Sequence, residues 1–249
     1  MQITLPSGTN AVIEKSVSNR RELGLVVIPD VMGLRPLFYD MVKRLATEWD
    51  INVCSFELYP ELEHLNVEER LGAASRLEDT RVVGDAIEAA DEIQSDQVAI
   101  LGFCMGGMYT LKTVSSQRFS KHCSFYGMVR VPEAWKSESQ SEPIYCLQKG
   151  NADSVLAIVG SEDTWTPKED VDLLSSTGVT VVSYKGADHG FAHDSSRPAH
   201  RPADAADAPT AISACLSLSL FIVIPSSDLK KPISQASGAD VEVLANPIV

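Results

Sequence analysis

The chain has 249 residues, 44% of them hydrophobic, which is enough for a single domain with a large core. Its formal net charge of −13 at pH 7 opposes binding to phosphate backbones, so we expect no nucleic-acid partner. The amino terminus lacks a basic region followed by an apolar segment, and no apolar run is long enough to cross a bilayer, so we expect a cytoplasmic protein without a membrane partner.

Apolar strands and amphipathic helices alternate along the chain. In chain order we predict a strand at 23–29, a helix at Leu37–Thr47, a strand at 51–56, a helix at Asp79–Ser95, a strand at 97–101, a helix at Met108–Val114, and strands at 122–126, 154–160 and 179–184. The irregular segments 57–78 and 130–152 are long enough to be functional loops. This alternation predicts a mostly parallel α/β sheet with helices on both faces and ligands at the carboxyl ends of its strands.

A sharp turn is predicted directly after the strand at 97–101, where the sequence reads Gly-Phe-Cys-Met-Gly-Gly. This is the pattern of a nucleophile elbow, with Cys104 in the position of the nucleophile. The glycines leave room for a strained residue, and the helix that follows would leave the Met105 N–H unpaired beside it. A buried structural cysteine in a glycine-rich turn is the alternative.

An acid and a histidine follow in loops at the ends of the next strands. Asp163 comes after the strand at 154–160, and His189 comes after the strand at 179–184. Nucleophile, acid and histidine in this order are typical of the α/β-hydrolase triad. Alone, Asp163 could equally cap a helix or turn, and His189 could lie in a surface loop.

These motifs resemble those of the dienelactone hydrolase family, and the resemblance covers residues 20 to 208. It implies an α/β-hydrolase fold and hydrolysis of an ester or lactone through a thioester on a Cys-His-Asp triad. It also implies that the N–H groups of Val31 and Met105 form the oxyanion hole. Asp30 would be the acid that tunes the nucleophile, in a position where family members usually have glutamate.

The resemblance implies that arginines hold a carboxylate of the substrate. One of them lies four residues beyond the catalytic histidine, where this chain has His193, and Arg70 and Arg76 are the candidates for the second. The arginines at 35, 81, 197 and 201 are further candidates, with solvated surface positions as the alternative. A thioesterase or general carboxylesterase, a non-catalytic ligand-binding protein, and a cysteine peptidase or amidotransferase stay open as functions. The oligomeric state is open as well.

The five cysteines are an odd number and lack zinc-site spacing, so we expect no disulfide framework, no metal and no cofactor. Cys54 and Cys123 fall in predicted strands and are expected in the core. We assign residues 1–210 to one domain and 211–249 to an atypical segment. Residues 211–224 alternate small polar and large apolar side chains, which favours a strand over a final helix. An added strand, a partner-binding segment and an altered carboxyl terminus stay open as interpretations, and residues 225–249 look weakly structured.

Overall fold

The computed structural model describes residues 1–217 and 241–244. These residues form one mixed sheet with helices packed against it. The strands are β1 (Gln2–Thr4), β2 (Asn10–Glu14), β3 (Leu23–Ile28), β4 (Asn52–Phe56), β5 (Gln97–Phe103), β6 (His122–Phe125), β7 (Val155–Gly160), β8 (Thr180–Tyr184) and β9 (Val241–Leu244). The helices are α1 (Pro36–Trp49), α2 (Val67–Ala73), α3 (Asp79–Ile93), α4 (Met105–Thr113), α5 (Pro143–Leu147), α6 (Lys168–Ser175) and α7 (Pro202–Ser217).

The sheet order is β1-β2-β4-β3-β5-β6-β7-β8-β9. Strands β4, β3, β5, β6, β7 and β8 run parallel, whereas β1, β2 and β9 pair antiparallel at the two edges. The prediction of a mostly parallel sheet is therefore confirmed. Because the central strands are parallel, their carboxyl ends lie at one edge of the sheet, which collects the loops after β3, β5, β6, β7 and β8.

Helices cover both faces of the sheet. The strand register puts Leu101, Phe103 and Phe125 on one face, where they line a cavity together with residues of α1 and α7. On the opposite face, Val155 and Val159 of β7 pack in a cluster with residues of α4, α5 and α6. Sheets buried on both faces need nearly continuous apolar strands, and β3, β4, β6 and β7 are buried at every position.

The predicted elements agree with the structure to within a few residues, except that α4 begins at Met105 rather than Met108. The prediction that 57–78 is irregular is wrong in part, because it contains α2. The Asn66 side chain accepts hydrogen bonds from the backbone of Glu68 and Glu69, and the Glu69 side chain accepts one from Asn66, a capping box that starts this helix. The hairpin β1–β2, the short helix α5 inside the predicted loop 130–152, and α6 were not predicted.

The predicted strand at 211–224 is wrong for residues 211–217, which belong to α7. Ile212 and Leu216 are both buried, and their spacing of four residues places them on one face of that helix. The segment therefore combines the alternation of polar and apolar residues with the four-residue apolar spacing of a helix. Residues 218–224 lie outside the described residues. Within the segment predicted to be weakly structured, β9 pairs with β8 from Tyr184 opposite Val241 to Val181 opposite Leu244.

Two glycines offer a matched test of the packing that positions α4. A Cβ atom at Gly106 would meet the carbonyl oxygens of Ile28 and Pro29, whereas one at Gly84 in α3 would meet nothing within 4 Å. We expect Gly106→Ala to lower the free energy of unfolding by about 1–3 kcal/mol through overpacking. Gly84→Ala should raise it by about 0.5–1 kcal/mol, because alanine is the better helix residue. Urea denaturation of the two variants measures both effects, and equal stabilities would contradict this packing.

Candidate active site

Cys104 occupies the turn between β5 and α4 in a backbone conformation that L-residues rarely adopt, with φ 56° and ψ −116°. The glycines on both sides of this turn have no room for side chains. A Cβ at Gly102 would meet the Gly106 carbonyl, and one at Gly107 would lie 2.7 Å from the Phe125 carbonyl oxygen. The sequence thus folds into the predicted elbow because these positions are glycine. Only 7% of Cys104 is exposed.

Two backbone N–H groups next to the elbow have no acceptor. Met105 is the first residue of α4, so its N–H has no partner within the helix. Within residues 1–217 and 241–244, neither the Met105 N–H nor the Val31 N–H donates a hydrogen bond. The first turn of α4 packs on the loop after β3 through Gly106, which brings the segment of Val31 against that of Met105. Unpaired donors at a helix N-terminus suit a developing oxyanion.

His189 is oriented by Asp163. Its Nδ1 lies 2.8 Å from Asp163 Oδ2, and the other carboxylate oxygen of Asp163 accepts a hydrogen bond from the Trp165 N–H at 2.8 Å. Asp163 is 3% exposed and His189 is 9% exposed, so this pair is shielded from water. Since Nδ1 donates to the carboxylate, Nε2 is the nitrogen that faces away from Asp163.

The second ring nitrogen of His189 is buried without a hydrogen-bond partner in the described part of the chain. Burial opposes the charged imidazolium, but negative charge at Cys104 and at Asp163, together with the hydrogen bond to Asp163, outweighs it and raises the pKa of His189 to about 10. Cys104 and His189 are therefore near enough to interact. The structure brings the three predicted residues Cys104, Asp163 and His189 to the same edge of the sheet.

Asp30 is fully buried after β3, and its carboxylate contacts a cation and an imidazole. Arg35 donates two hydrogen bonds to it, at 2.6 and 3.0 Å, and His193 Nε2 lies 2.7 Å from Oδ2. Burial opposes ionisation of Asp30, but His193 and Arg35 outweigh it and hold the pKa of this carboxyl well below its usual range. Asp30 is therefore a carboxylate whose partners are Arg35 and His193, together with the Met32 N–H at 2.9 Å.

His193 continues this chain of contacts to Tyr126. Burial lowers the pKa of His193 despite its contact with Asp30, which favours the neutral ring. Its Nε2–H then donates to Asp30, and its Nδ1 accepts a hydrogen bond from the Tyr126 hydroxyl at 2.6 Å. The ring of Tyr126 packs edge-on against His189, with centroids 5.2 Å apart. The residues Asp30, His193 and Tyr126 thus form a buried hydrogen-bonded chain that ends against the ring of His189.

The two arginines predicted to bind substrate, Arg70 and Arg76, lie in different environments. Arg70 is buried, and its guanidinium donates to Glu57 at 3.0 Å and to the backbone carbonyls of Leu65 and Glu63 at 3.0 and 2.8 Å. These contacts anchor the segment before α2 and use three donor groups of the side chain. Arg76 is exposed at the end of the short turn after α2.

Tyr126 and Trp165 belong to the site and were not identified from the sequence. Tyr126 follows β6 directly and has φ 39°, so its place after a central strand was the available signal. Trp165 follows Asp163 by two residues, and its ring centroid lies 6.0 Å from that of His189. A position near a strand end identifies such residues as candidates, but the sequence does not show whether the side chain points into the site.

The described residues contain no cluster of three or more histidine, cysteine, aspartate or glutamate side chains able to hold a metal ion. Across the same residues, no helix combines the length and the apolar character that crossing a bilayer requires.

The chain is similar in sequence and in structure to several known proteins. The model of the dienelactone hydrolase family matches residues 9–218. A Bradyrhizobium protein named as a 2-oxo-3-(5-oxofuran-2-ylidene)propanoate lactonase is 26% identical over 218 residues, which cover 78% of this chain and 85% of that protein. A Synechocystis protein named as a carboxymethylenebutenolidase is 24% identical over 204 residues, covering 74% and 81%. A crystal structure titled as a dienelactone hydrolase from Klebsiella pneumoniae superposes with a TM-score of 0.76 at 22% identity, covering 87% of this chain and 97% of that one.

We expect Asp163→Asn to lower kcat/KM by about 10³- to 10⁴-fold, because the amide no longer fixes the tautomer of His189. Loss of the carboxylate charge also removes one cause of the raised pKa of His189, so the alkaline limb of the pH–rate profile, expected near pH 10 in the wild type, should move to lower pH. Steady-state kinetics on an activated ester from pH 6 to 11 measures both changes. An unchanged alkaline limb would show that Asp163 does not act on His189.

Replacement of Asp30 by asparagine should lower the free energy of unfolding by about 3 kcal/mol, since it leaves Arg35 and His193 without the buried carboxylate. Asp172→Asn is the control, because Asp172 forms an exposed ion pair with Lys168 and should contribute less than about 1 kcal/mol. Chemical denaturation at pH 7 compares the two. If both variants match the wild type, the contacts of Asp30 do not stabilise the fold.

Proposed function

The chain belongs to the dienelactone hydrolase family, which makes it a carboxylic ester hydrolase, and we propose that Cys104, His189 and Asp163 are its catalytic triad. The observation that carries the proposal is the buried pair of His189 and Asp163, joined at 2.8 Å, with the free side of the imidazole near Cys104. A thiolate next to an imidazolium is the reactive form of a catalytic cysteine. The substrate is a small ester or lactone.

The reaction begins when the Cys104 thiolate attacks the carbonyl carbon. A C–S bond forms, and the π electrons of the carbonyl move to oxygen. The resulting oxyanion accepts hydrogen bonds from the N–H groups of Val31 and Met105, which have no protein acceptor in the described residues. Loss of one such donor typically costs about 3 kcal/mol of transition-state stabilisation.

Collapse of the oxyanion then breaks the bond to the leaving oxygen, which takes the Nε2 proton of His189. A thioester of Cys104 remains, and in a lactone the leaving group stays attached through the acyl chain. His189, now neutral, removes a proton from water as the water oxygen attacks the thioester. The C–S bond breaks, the thiolate returns, and His189 keeps the proton. One water molecule is consumed for each acid and alcohol formed.

The chemistry of sulfur limits the substrates. A thiolate leaves a tetrahedral intermediate more readily than a simple alkoxide does, so an ordinary alkyl ester tends to return to the starting ester. Esters whose leaving oxygen is stabilised, such as enol lactones and aryl esters, avoid this return. The names of the lactonase and carboxymethylenebutenolidase relatives support a lactone of this kind.

Asp30 acts on this site indirectly in our proposal. Its carboxylate is occupied by Arg35 and His193, and His193 fixes the hydroxyl of Tyr126. Since the ring of Tyr126 packs against His189, the chain of contacts from Asp30 helps to hold the imidazole in place. Asp30 is thus proposed as a positioning residue that tunes the nucleophile through His189.

Cys104→Ala should lower the rate of p-nitrophenyl acetate hydrolysis by at least about 10³-fold, because it removes the nucleophile that forms the acyl intermediate. Rapid mixing of the wild type with an activated ester, followed by acid quench, should give a protein heavier by one acyl group on Cys104, measured by mass spectrometry of the intact protein and its peptides. An acyl group on another residue, or full activity of Cys104→Ala, would contradict the mechanism.

Cys54 provides an internal control for thiol reactivity. Burial raises the pKa of the Cys54 thiol to about 12, so it should resist alkylation at neutral pH. Brief exposure to iodoacetamide should therefore label Cys104 and abolish esterase activity while Cys54 stays unmodified. Equal labelling of the two would show that Cys104 has no special environment.

A further inference from the structure

A buried ion pair lies against the loop after β3. Glu57, the residue directly after β4, and Arg70 of α2 are both buried, and Arg70 Nη1 lies 3.0 Å from Glu57 Oε1. Burial removes both charges from water, and that cost often cancels what their attraction contributes to stability. The role of this pair is therefore to be sought in the backbone segments that it contacts.

The Glu57 carboxylate holds the backbone that follows β3. Its Oε2 accepts a hydrogen bond from the Leu34 N–H at 2.8 Å. A Cβ atom at Gly33 would meet Glu57 Oε1 and the guanidinium paired with it, so the Gly33 backbone packs directly on the ion pair. The Gly33 N–H donates to the Asp30 carbonyl at 2.9 Å and closes a turn over residues 30–33. Val31 lies inside this turn, so the ion pair fixes the backbone that carries the Val31 N–H.

The same ion pair is connected to Met105 through Tyr59. Glu57 Oε1 accepts a hydrogen bond from the Tyr59 N–H at 2.8 Å, and the Arg70 guanidinium lies over the Tyr59 ring, 5.2 Å from its centroid. The Tyr59 hydroxyl lies 3.1 Å from the Arg70 carbonyl oxygen and 3.2 Å from Met105 Sδ. Tyr59 and Met105 are both fully buried, so Met105 cannot shift without moving Tyr59.

One network of buried side chains therefore contacts both segments that supply the proposed oxyanion donors. We propose that Glu57, Arg70 and Tyr59 are positioning residues that set the spacing between the N–H groups of Val31 and Met105. Two donors stabilise an oxyanion only while both lie at hydrogen-bond distance from the same oxygen, and a misplacement of about 1 Å can cost about 100-fold in rate. The inference rests on the proposed function, in which these two N–H groups bind the oxyanion.

Three reactions of Cys104 separate the oxyanion donors from the nucleophile. Hydrolysis of p-nitrophenyl acetate passes through an oxyanion. p-Nitrophenyl thionoacetate has sulfur in place of the carbonyl oxygen, and sulfur is a weaker hydrogen-bond acceptor, so its hydrolysis depends less on the two donors. Methyl methanethiosulfonate forms no oxyanion at all, because the thiolate attacks its sulfenyl sulfur and methanesulfinate leaves. Loss of esterase activity with time measures this last rate.

Two variants of the network should lose the oxyanion reaction selectively. We expect Tyr59→Phe, which removes only the hydroxyl, to lower kcat/KM for p-nitrophenyl acetate by about tenfold and for the thionoacetate by less than about twofold. Glu57→Gln, which leaves Arg70 opposite a neutral amide, should lower the first value by about 30- to 100-fold with the same selectivity. The rate with methyl methanethiosulfonate should stay at the wild-type value. Thermal unfolding confirms that each variant is folded, and Tyr59→Phe is the milder change.

Two matched variants control for buried polar contacts elsewhere. Tyr184→Phe removes a buried hydroxyl that donates to Asp207 at 2.9 Å, and Asp79→Asn leaves the buried Lys112 without the carboxylate that lies 2.6 Å from it. Within the described part of the chain, neither Tyr184 nor Asp79 forms a hydrogen bond with the turn at 30–33 or with Met105. Both variants should keep the wild-type ratio of kcat/KM between the two esters.

Equal losses on the two esters, or a matching loss of the rate with methyl methanethiosulfonate, would show that the variants disturb the whole site and would overturn the positioning role. Wild-type kcat/KM values in both variants would overturn it as well. These outcomes differ from failure of the proposed function, in which Cys104→Ala would hydrolyse p-nitrophenyl acetate as fast as the wild type and the inference would fail with it.

Discussion

The strained backbone at Cys104 is the constraint on which the rest of the site depends. A residue held in such a conformation costs about 1–3 kcal/mol, and it persists only where the surrounding packing fixes it. Here the fixing contacts are those between the first turn of α4 and the backbone of β5, β6 and the loop after β3, which approach closely because Gly102, Gly106 and Gly107 have no side chains. The same packing leaves the N–H of Met105 without an acceptor among residues 1–217 and 241–244. One local geometry therefore places the thiol at the end of β5 and puts beside it the donor that we propose for a tetrahedral intermediate.

The parallel sheet explains how distant residues share this site. Cys104, Asp163 and His189 follow β5, β7 and β8, and parallel strands put all these positions at one edge. Burial then determines their charges. In a site shielded from water, an isolated imidazolium would be unfavourable, but the carboxylate of Asp163 and the thiolate stabilise it from two sides. The chain from Asp30 through His193 to Tyr126 holds the ring of His189 from a third direction. The ring of His189 is thus positioned by packing and by charge together.

The sequence allowed the fold class and the placement of Cys104, Asp163 and His189 at one edge of the sheet to be predicted, because strand ends and glycine turns are local features of the sequence. It did not allow the partners of individual charged side chains to be predicted. Asp30 lies where the motif places it, yet it binds Arg35 and His193, and that choice depends on residues 5 and 163 positions away. Arg70 likewise pairs with Glu57, a contact between residues that are 13 positions apart in the sequence. The carboxyl-terminal part of α7 was misread because alternation and helical spacing coexist in one segment, and only packing against the sheet decides between them.

We propose above all that Cys104 and His189 form a thiolate–imidazolium pair supported by Asp163. Nitrogen-15 NMR of histidine-labelled protein tests it directly, because the ring shifts distinguish the imidazolium from the neutral tautomers and the chain has only five histidines. His122, whose pKa burial lowers to about 3, is a neutral reference in the same spectrum. We expect His189 to be an imidazolium at pH 7, to titrate near pH 10, and to titrate at clearly lower pH in Cys104→Ala. A neutral His189 at pH 7, or a titration that ignores the loss of the thiol, would contradict it.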